Sequence, residues 1–425
     1  MTPDDRLDRF ADLAVRVGAN VQPGQDVALL YLVEHTPVAR AVARAALRAG
    51  ARRVVPVITD LHLRKAAIEF GPEAEVGVTP EHILDWVRTW GDTRPAIVSL
   101  AGDPEPTLFD GLDPAAVARS DPSDMRALYL PIVTGRKTNW VIVPAPTPGW
   151  AEVVLGEADV DRLWDAVATT LRLDEEDPVA AWRRHAETLQ ARADALNAAR
   201  FDAIRFRGPG TDLVVGLLRD SRWMCATFET ETGIEHIPNL PTEEVFTTPD
   251  WRRAEGVVRS TYPLLLPGVG ALVEGLELRL EGGEIVEVQA KGDGAEMIRT
   301  QLVGDERARF LGEVALVDGA SRVFQTGLVF KSTLFDENAA CHIAYGSGLP
   351  FAVEGAEGLD TEGMIEAGVN VSAVHTDFMV GGAEVHVDGI ASTGSETPIL
   401  RDNAWVLEAA YERTSTQLIA ALDLN

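Results

Sequence analysis

The chain has 425 residues, 46% of them hydrophobic, and a formal net charge of −28. That length predicts two domains with ample apolar material for their cores. The acidic balance argues against nucleic-acid binding, which needs a basic footprint, and no apolar run reaches the roughly 18 residues of a membrane span.

The opening MTPDDRLDRF mixes both charge signs without an apolar block, so it reads as neither a signal nor a transit peptide. Leu7, Phe10, Ala14 and Val17 recur at helical spacing, and Gly18 ends that helix. VALLYLV (27–33) is wholly apolar, the pattern of a strand buried on both faces. Thr36-Pro37 then starts a helix, with Thr36 expected as its N-cap, and RVVPVITD (53–60) is the next strand. Strand, helix and strand at this spacing make a βαβ unit with a parallel pair. AIVSLAG (96–102) and NWVIVPAP (139–146) extend the same sheet. The first part is therefore an α/β domain with a mostly parallel sheet.

A long helix follows Asp177-Pro178, and the domain boundary is placed near its end, giving domains 1–200 and 201–425. Beyond it the pattern changes. FDAIRFRG, TDLVVGLL, GLELRLEGG and EIVEVQAKG alternate apolar and polar residues, and EGGE reads as a hairpin turn. The second part is an α+β domain with a mainly antiparallel sheet. Two cysteines, Cys225 and Cys341, make neither a disulfide framework nor a four-cysteine zinc site. A soluble, cytoplasmic protein is expected.

Of the eight histidines, His35, His62, His82 and His185 lie in the first part, in helical or loop text that calls for ordinary roles. The second part differs. NLPTEEVFTTPD carries Glu243 and Glu244 ahead of Val245 and Phe246. RFLGEVALVDG sets Glu313 in an apolar run. FDENAACHIAYG carries Glu337 and His342, and AVHTDFMVGG carries His375 and Asp377. In a strand, His375 and Asp377 share one face. Each residue alone has a plain explanation, such as a helix cap, an edge-strand charge or a hydrogen-bonded core histidine. Together they are harder to explain, because charged side chains are rarely buried unless paired or metal-bound. Two histidines with three or four carboxylates suit Zn, Mn or Co, and a carboxylate bridging two ions makes a dinuclear hydrolytic site possible.

These blocks resemble the aminopeptidase T family of bacterial metalloaminopeptidases, which includes aminopeptidase S and PepS. The matching text is NLPTEEVFTTPD, GEVALV, TLFDENAACHIAYG and VHTDFMVGG…VHVDG, with GPGTDLVVGL, TNWVIVP and EDPVAAW further toward the N-terminus. The resemblance implies a two-domain exopeptidase acting on peptides as a homodimer, with two divalent metal ions (Zn, Co or Mn) per chain. It implies Glu244, His342, His375 and Asp377 as metal ligands, Glu313 as the bridge, and Glu337 as a further ligand. A metal-bound hydroxide would attack the scissile carbonyl, and a carboxylate would carry the proton to the leaving amine. Glu243, beside a ligand, is the expected shuttle. Where the family pattern has a tyrosine seven residues after the histidine, this chain has Leu349, so Tyr345 is the candidate substitute. Two other functions compete. His342, His375 and Asp377 also form a two-histidine, one-carboxylate set suited to a mononuclear non-haem iron, ring-cleaving dioxygenase. A metal-holding protein with weak or lost peptidase activity is the third reading.

Overall fold

The computed structural model describes residues 2–266 and 272–407. Their contacts form two compact units. One holds the chain up to Ala186 and again Ala226–Thr242; the other holds Glu187–Cys225 and the described chain from Glu243 onward.

In the first unit four parallel strands lie in the order Arg53–Thr59, Asp26–Leu32, Ala96–Ala101, Trp140–Pro144. The apolar runs explain which strands are central. Val27, Ala28, Val98 and Val141 are fully buried, whereas Arg53–Thr59 is an exposed edge. Pro56 fits that edge, since proline has no N–H to give a neighbouring strand. The first helix runs Pro3–Leu13 behind a Thr2–Asp5 capping box and continues as a π-turn to Gly18. A Cβ at Gly18 would lie 2.7 Å from the Val141 side chain, so only glycine lets this turn approach the sheet. The next helix, Thr36–Arg48, buries Val38, Ala41, Val42 and Ala45 along one stripe. Its N-cap is His35 rather than Thr36. Thr36 already has helical backbone angles, and its hydroxyl donates back to the Val33 carbonyl at 2.5 Å.

In the second unit an antiparallel sheet orders its strands Glu284–Gln289, Glu277–Glu281, Pro249–Arg259, Thr211–Leu217, Ala203–Gly208, His386–Ile390, Glu396–Arg401, Ala404–Trp405. The EGGE turn joins the first two of these, with φ of +57° at Gly282 and +89° at Gly283. Both positive angles are what a two-residue hairpin of this hand needs.

A smaller antiparallel sheet carries the residues singled out above. Its order is His375–Met379, His342–Gly346, Leu311–Leu316, Val245–Thr247. Every residue of Leu311–Leu316 and His342–Gly346 is buried. A charge on these strands has no route to bulk water, so it must be matched inside the protein. Among the described residues, no helix is long and apolar enough to cross a membrane.

Candidate metal centre

Register decides which side chains meet. Ala344 pairs with Glu313 on one side and with Asp377 on the other. Ala315 pairs with His342, and Gly346 with His375. Directly paired residues point to the same face, so Glu313, His342, His375 and Asp377 converge over Ala344 and Gly346. Alanine and glycine between them leave that space open. The register shifts between Leu311 and Glu313, a bulge that includes Gly312. A Cβ at Gly312 would lie 2.1 Å from the Ser347 carbonyl oxygen, so the bulge tolerates only glycine there.

Two groups of potential ligand atoms result. Glu244, Glu313 and His342 form one, and Glu313, His375 and Asp377 the other, with the atoms of each group within 4.8 Å of one another. Glu313 belongs to both. His342 Nε2 is 3.0 Å from Glu244 Oε2. His375 Nε2 is 3.2 Å from Glu313 Oε2 and 3.3 Å from Asp377 Oδ1. The far side of each ring is held by backbone. His342 Nδ1 lies 3.3 Å from the Ala340 carbonyl, and His375 Nδ1 lies 2.8 Å from the Ser347 carbonyl. A carbonyl accepts only, so each Nδ1 carries a proton, and each Nε2 faces the carboxylates, where it holds a proton without metal and would offer its lone pair to a cation that replaced that proton.

The residues fit a metal. Glu244 Oε2 and Asp377 Oδ1 are buried, and among the described residues neither has a hydrogen-bond partner, although each is within ion-pair range of an imidazole. An orphaned buried carboxylate oxygen is costly, at about 1–3 kcal/mol or more, and a divalent cation removes that cost. The protein without metal shows the same tension in its protons. Burial lifts the Glu313 carboxyl above its usual range despite the His375 contact, and the Asp377 and Glu244 charges add to the rise. Burial, then Glu244 and Asp377, hold Glu337 well above. Burial alone would pull His342 down, but Glu244, Asp377 and Glu313 push it up to about 10. His375 is likewise pushed well above its usual value by Asp377 and Glu313, against the pull of burial. The cluster therefore retains positive charge, as protons, where a cation would sit.

Five of the residues expected from the sequence meet here: Glu244, Glu313, His342, His375 and Asp377. Glu337 is half-buried and feels the same charges, with Oε1 accepting from Asn338 Nδ2 at 3.4 Å, but it belongs to neither group. Glu243 is fully buried, and its Oε1 accepts from the Arg322 amide at 3.3 Å. In an extended chain it faces the opposite side from Glu244. Tyr345 lies three residues along the strand from His342, on the other face; its hydroxyl donates to Gln301 Oε1 at 2.6 Å. Leu349 is half-buried and exchanges backbone hydrogen bonds with the Thr248 hydroxyl. The Ala340 and Ser347 carbonyls that orient the rings carry no residue-type signature, so the sequence offered no way to find them.

Residues 3–405 match the family described as thermophilic metalloprotease (M29). Aminopeptidase T of Thermus thermophilus is 41% identical over 407 residues, covering 94% of this chain and 98% of that protein. The structure of wild-type AmpT from Thermus thermophilus superposes with a TM-score of 0.88 at 39% identity, covering 95% of this chain and all of that one. A 2,5-dihydroxypyridine dioxygenase from Pseudomonas putida KT2440 shares the fold alone, with a TM-score of 0.52 at 13% identity. The chain belongs to the thermophilic metalloprotease (M29) family.

Proposed function

We propose that this chain is a metal-dependent aminopeptidase that removes N-terminal residues from peptides, using two divalent ions (Zn, Co or Mn) held in its second unit. The observation that carries this reading is the double membership of Glu313, the carboxylate common to both ligand groups. A shared carboxylate is what a two-ion site needs, and such sites suit hydrolysis. The names of the relatives, aminopeptidases from several bacteria, support the peptide substrate.

In this reading Glu244 and His342 would hold one ion and His375 and Asp377 the other, with Glu313 available to both and Glu337 as a further oxygen donor. When bound, the ions supply Lewis acidity and lower the pKa of a water to near neutrality. The chain's own contribution is preorganisation. The Ala340 and Ser347 carbonyls fix the ring orientations, and the buried sheet excludes competing solvent. Glu243 is occupied by the Arg322 amide, so its role here is to anchor the segment that carries Glu244. Tyr345 packs behind the sheet with its hydroxyl satisfied by Gln301. The cytoplasmic location and the homodimer belong to the same reading; cell fractionation and light scattering test them.

The dioxygenase alternative needs only two histidines and one carboxylate around one iron. It leaves buried Glu244 and Glu313 without a purpose. Metal analysis of the purified protein, paired with a panel of aminoacyl reporter substrates, separates the two. We expect about two ions per chain and release of N-terminal residues. One tightly bound iron and turnover of a hydroxypyridine would overturn the peptidase reading.

A further inference from the structure

We propose that two buried asparagines, Asn338 and Asn370, are positioning residues, each setting the geometry of one half of the metal centre. The inference rests on the two-ion reading above and adds which residues make each half separately adjustable.

Asn338 is fully buried in the short turn Glu337–Ala339. Its Oδ1 accepts from the Glu243 amide at 2.7 Å. Its Nδ2 donates to the Leu334 carbonyl at 3.0 Å and to Glu337 Oε1 at 3.4 Å. Its own carbonyl accepts from the Ser321 hydroxyl at 2.6 Å. One side chain therefore ties the segment carrying Glu244 to the segment carrying Glu337 and His342. The Glu243 amide sits one residue from a ligand, so releasing it lets Glu244 drift from His342. Loss of about 1 Å in placement is enough to spoil such a site.

Asn370 is fully buried in the loop before His375. Its Nδ2 donates to the Gly346 carbonyl at 2.5 Å and to the Arg307 carbonyl at 2.7 Å. Its backbone carbonyl accepts from the Gly348 amide at 2.7 Å. These bonds clamp both neighbours of Ser347, whose carbonyl faces His375 Nδ1 at 2.8 Å. The clamp leaves little slack. Gly346 has φ +101°, and a Cβ there would lie 2.0 Å from the Val374 carbonyl oxygen. Asn370 thus acts on the His375 ring through Ser347. Among the described residues, the side-chain hydrogen bonds of Asn338 reach none of Glu313, His375 and Asp377, and those of Asn370 reach neither Glu244 nor His342.

A merely structural role would lower stability and disturb both ions alike, or neither. A positioning role is selective, and that selectivity is the measurement. Wild type, Asn338→Ala and Asn370→Ala are titrated with Co(II) and Zn(II) against a chelating dye, with the melting temperature followed in parallel. Asn338→Ala is expected to weaken one ion about 10–100-fold, the usual effect of removing an outer-shell partner, and to leave the other. Asn370→Ala is expected to do the converse. Double variants assign the halves. Glu244→Gln added to Asn338→Ala costs little more, whereas Asp377→Asn added to it leaves no tight ion; for Asn370→Ala the two partners exchange roles. If an alanine variant does not fold, Ser321→Ala and Asn370→Ser provide milder versions with the same selectivity. Two ions in wild type with equal loss, or no loss, in the variants would overturn the asparagine roles and leave the two-ion reading standing. One ion in wild type would bring down that reading, and the assignment of halves with it.

Discussion

His342 Nε2 lies 3.0 Å from Glu244 Oε2, and that buried oxygen has no hydrogen-bond partner among the described residues. Glu244 immediately precedes the strand Val245–Thr247 and His342 opens the strand His342–Gly346, so the sheet brings a carboxylate and an imidazole from distant parts of the chain to one point where a cation could be shared. Asp377 Oδ1 repeats the pattern beside His375. The first prediction follows from the residue that links them. Glu313→Gln is expected to weaken both ions, whereas Glu244→Gln and Asp377→Asn weaken mainly one each. Equilibrium dialysis with metal analysis reads this directly. Full metal content in Glu313→Gln would refute the bridge.

Glu243→Gln separates an anchor from a proton shuttle. With Oε1 engaged by the Arg322 amide, the variant keeps an acceptor oxygen in place. Both ions are expected to stay, with kcat within about threefold of wild type. General acid–base groups contribute roughly 10²–10⁴-fold. A fall of that size with both ions retained would restore Glu243 as the shuttle.

Tyr345→Phe removes the buried hydroxyl's bond to Gln301 Oε1 and leaves a half-buried acceptor. The expected cost is about 1–3 kcal/mol of stability, seen as a lower melting temperature, with metal content and kcat unchanged. Burial also lifts the phenol above its ordinary pKa, so it stays protonated through the working range. Leu349→Tyr is the companion variant. An oxyanion-stabilising donor is worth about 10²–10³ in rate. A rate gain in Leu349→Tyr would show that this chain's site lacks a donor. No change would show that another group already fills the role.

Acid should destabilise the first unit through two histidines that play no part in the metal centre. Burial pulls His35 from 6.5 down to about 4, opposed by the Gly102 backbone, and pulls His236 from 6.5 down to about 4, opposed by the Ile234 carbonyl. Both are almost fully buried, with relative exposures of 1% and 2%. The folded pKa lies below the unfolded one, so the unfolded chain binds more protons between them. Stability is therefore intact above about pH 6.5 and is lost as pH falls toward 4. Each shift corresponds to about 3 kcal/mol at most. Urea titrations of metal-free protein at pH 7.5 and 4.5 check this, since they remove the competing effect of ion release. Equal stability at the two values would contradict it.

The parallel sheet of the first unit was readable because it is written locally. VALLYLV, AIVSLAG and NWVIVPAP are short apolar runs between helical text, and their burial follows from their own composition. The His375–Asp377 spacing was readable for the same reason, since side-chain alternation is a property of one strand. Likewise, Glu313 and His342 stood out as charged residues within runs that had to be buried.

What the local pattern does not contain is register between strands far apart in the chain. The pairing of Ala344 with both Glu313 and Asp377 is what brings the carboxylates together, and a one-residue slip would have turned Glu313 to the opposite face. The bulge at Gly312 fixes that register through a contact with Ser347, which follows the paired strand His342–Gly346 and lies far along the chain. The choice of Glu244 over Glu243, the direction of Tyr345, the backbone carbonyls behind each imidazole and the buried Asn370 all depend on such tertiary contacts. Residue types were legible because burial selects them one at a time; their partners were not, because hydrogen bonds and ion contacts are set by distances that only the folded chain defines.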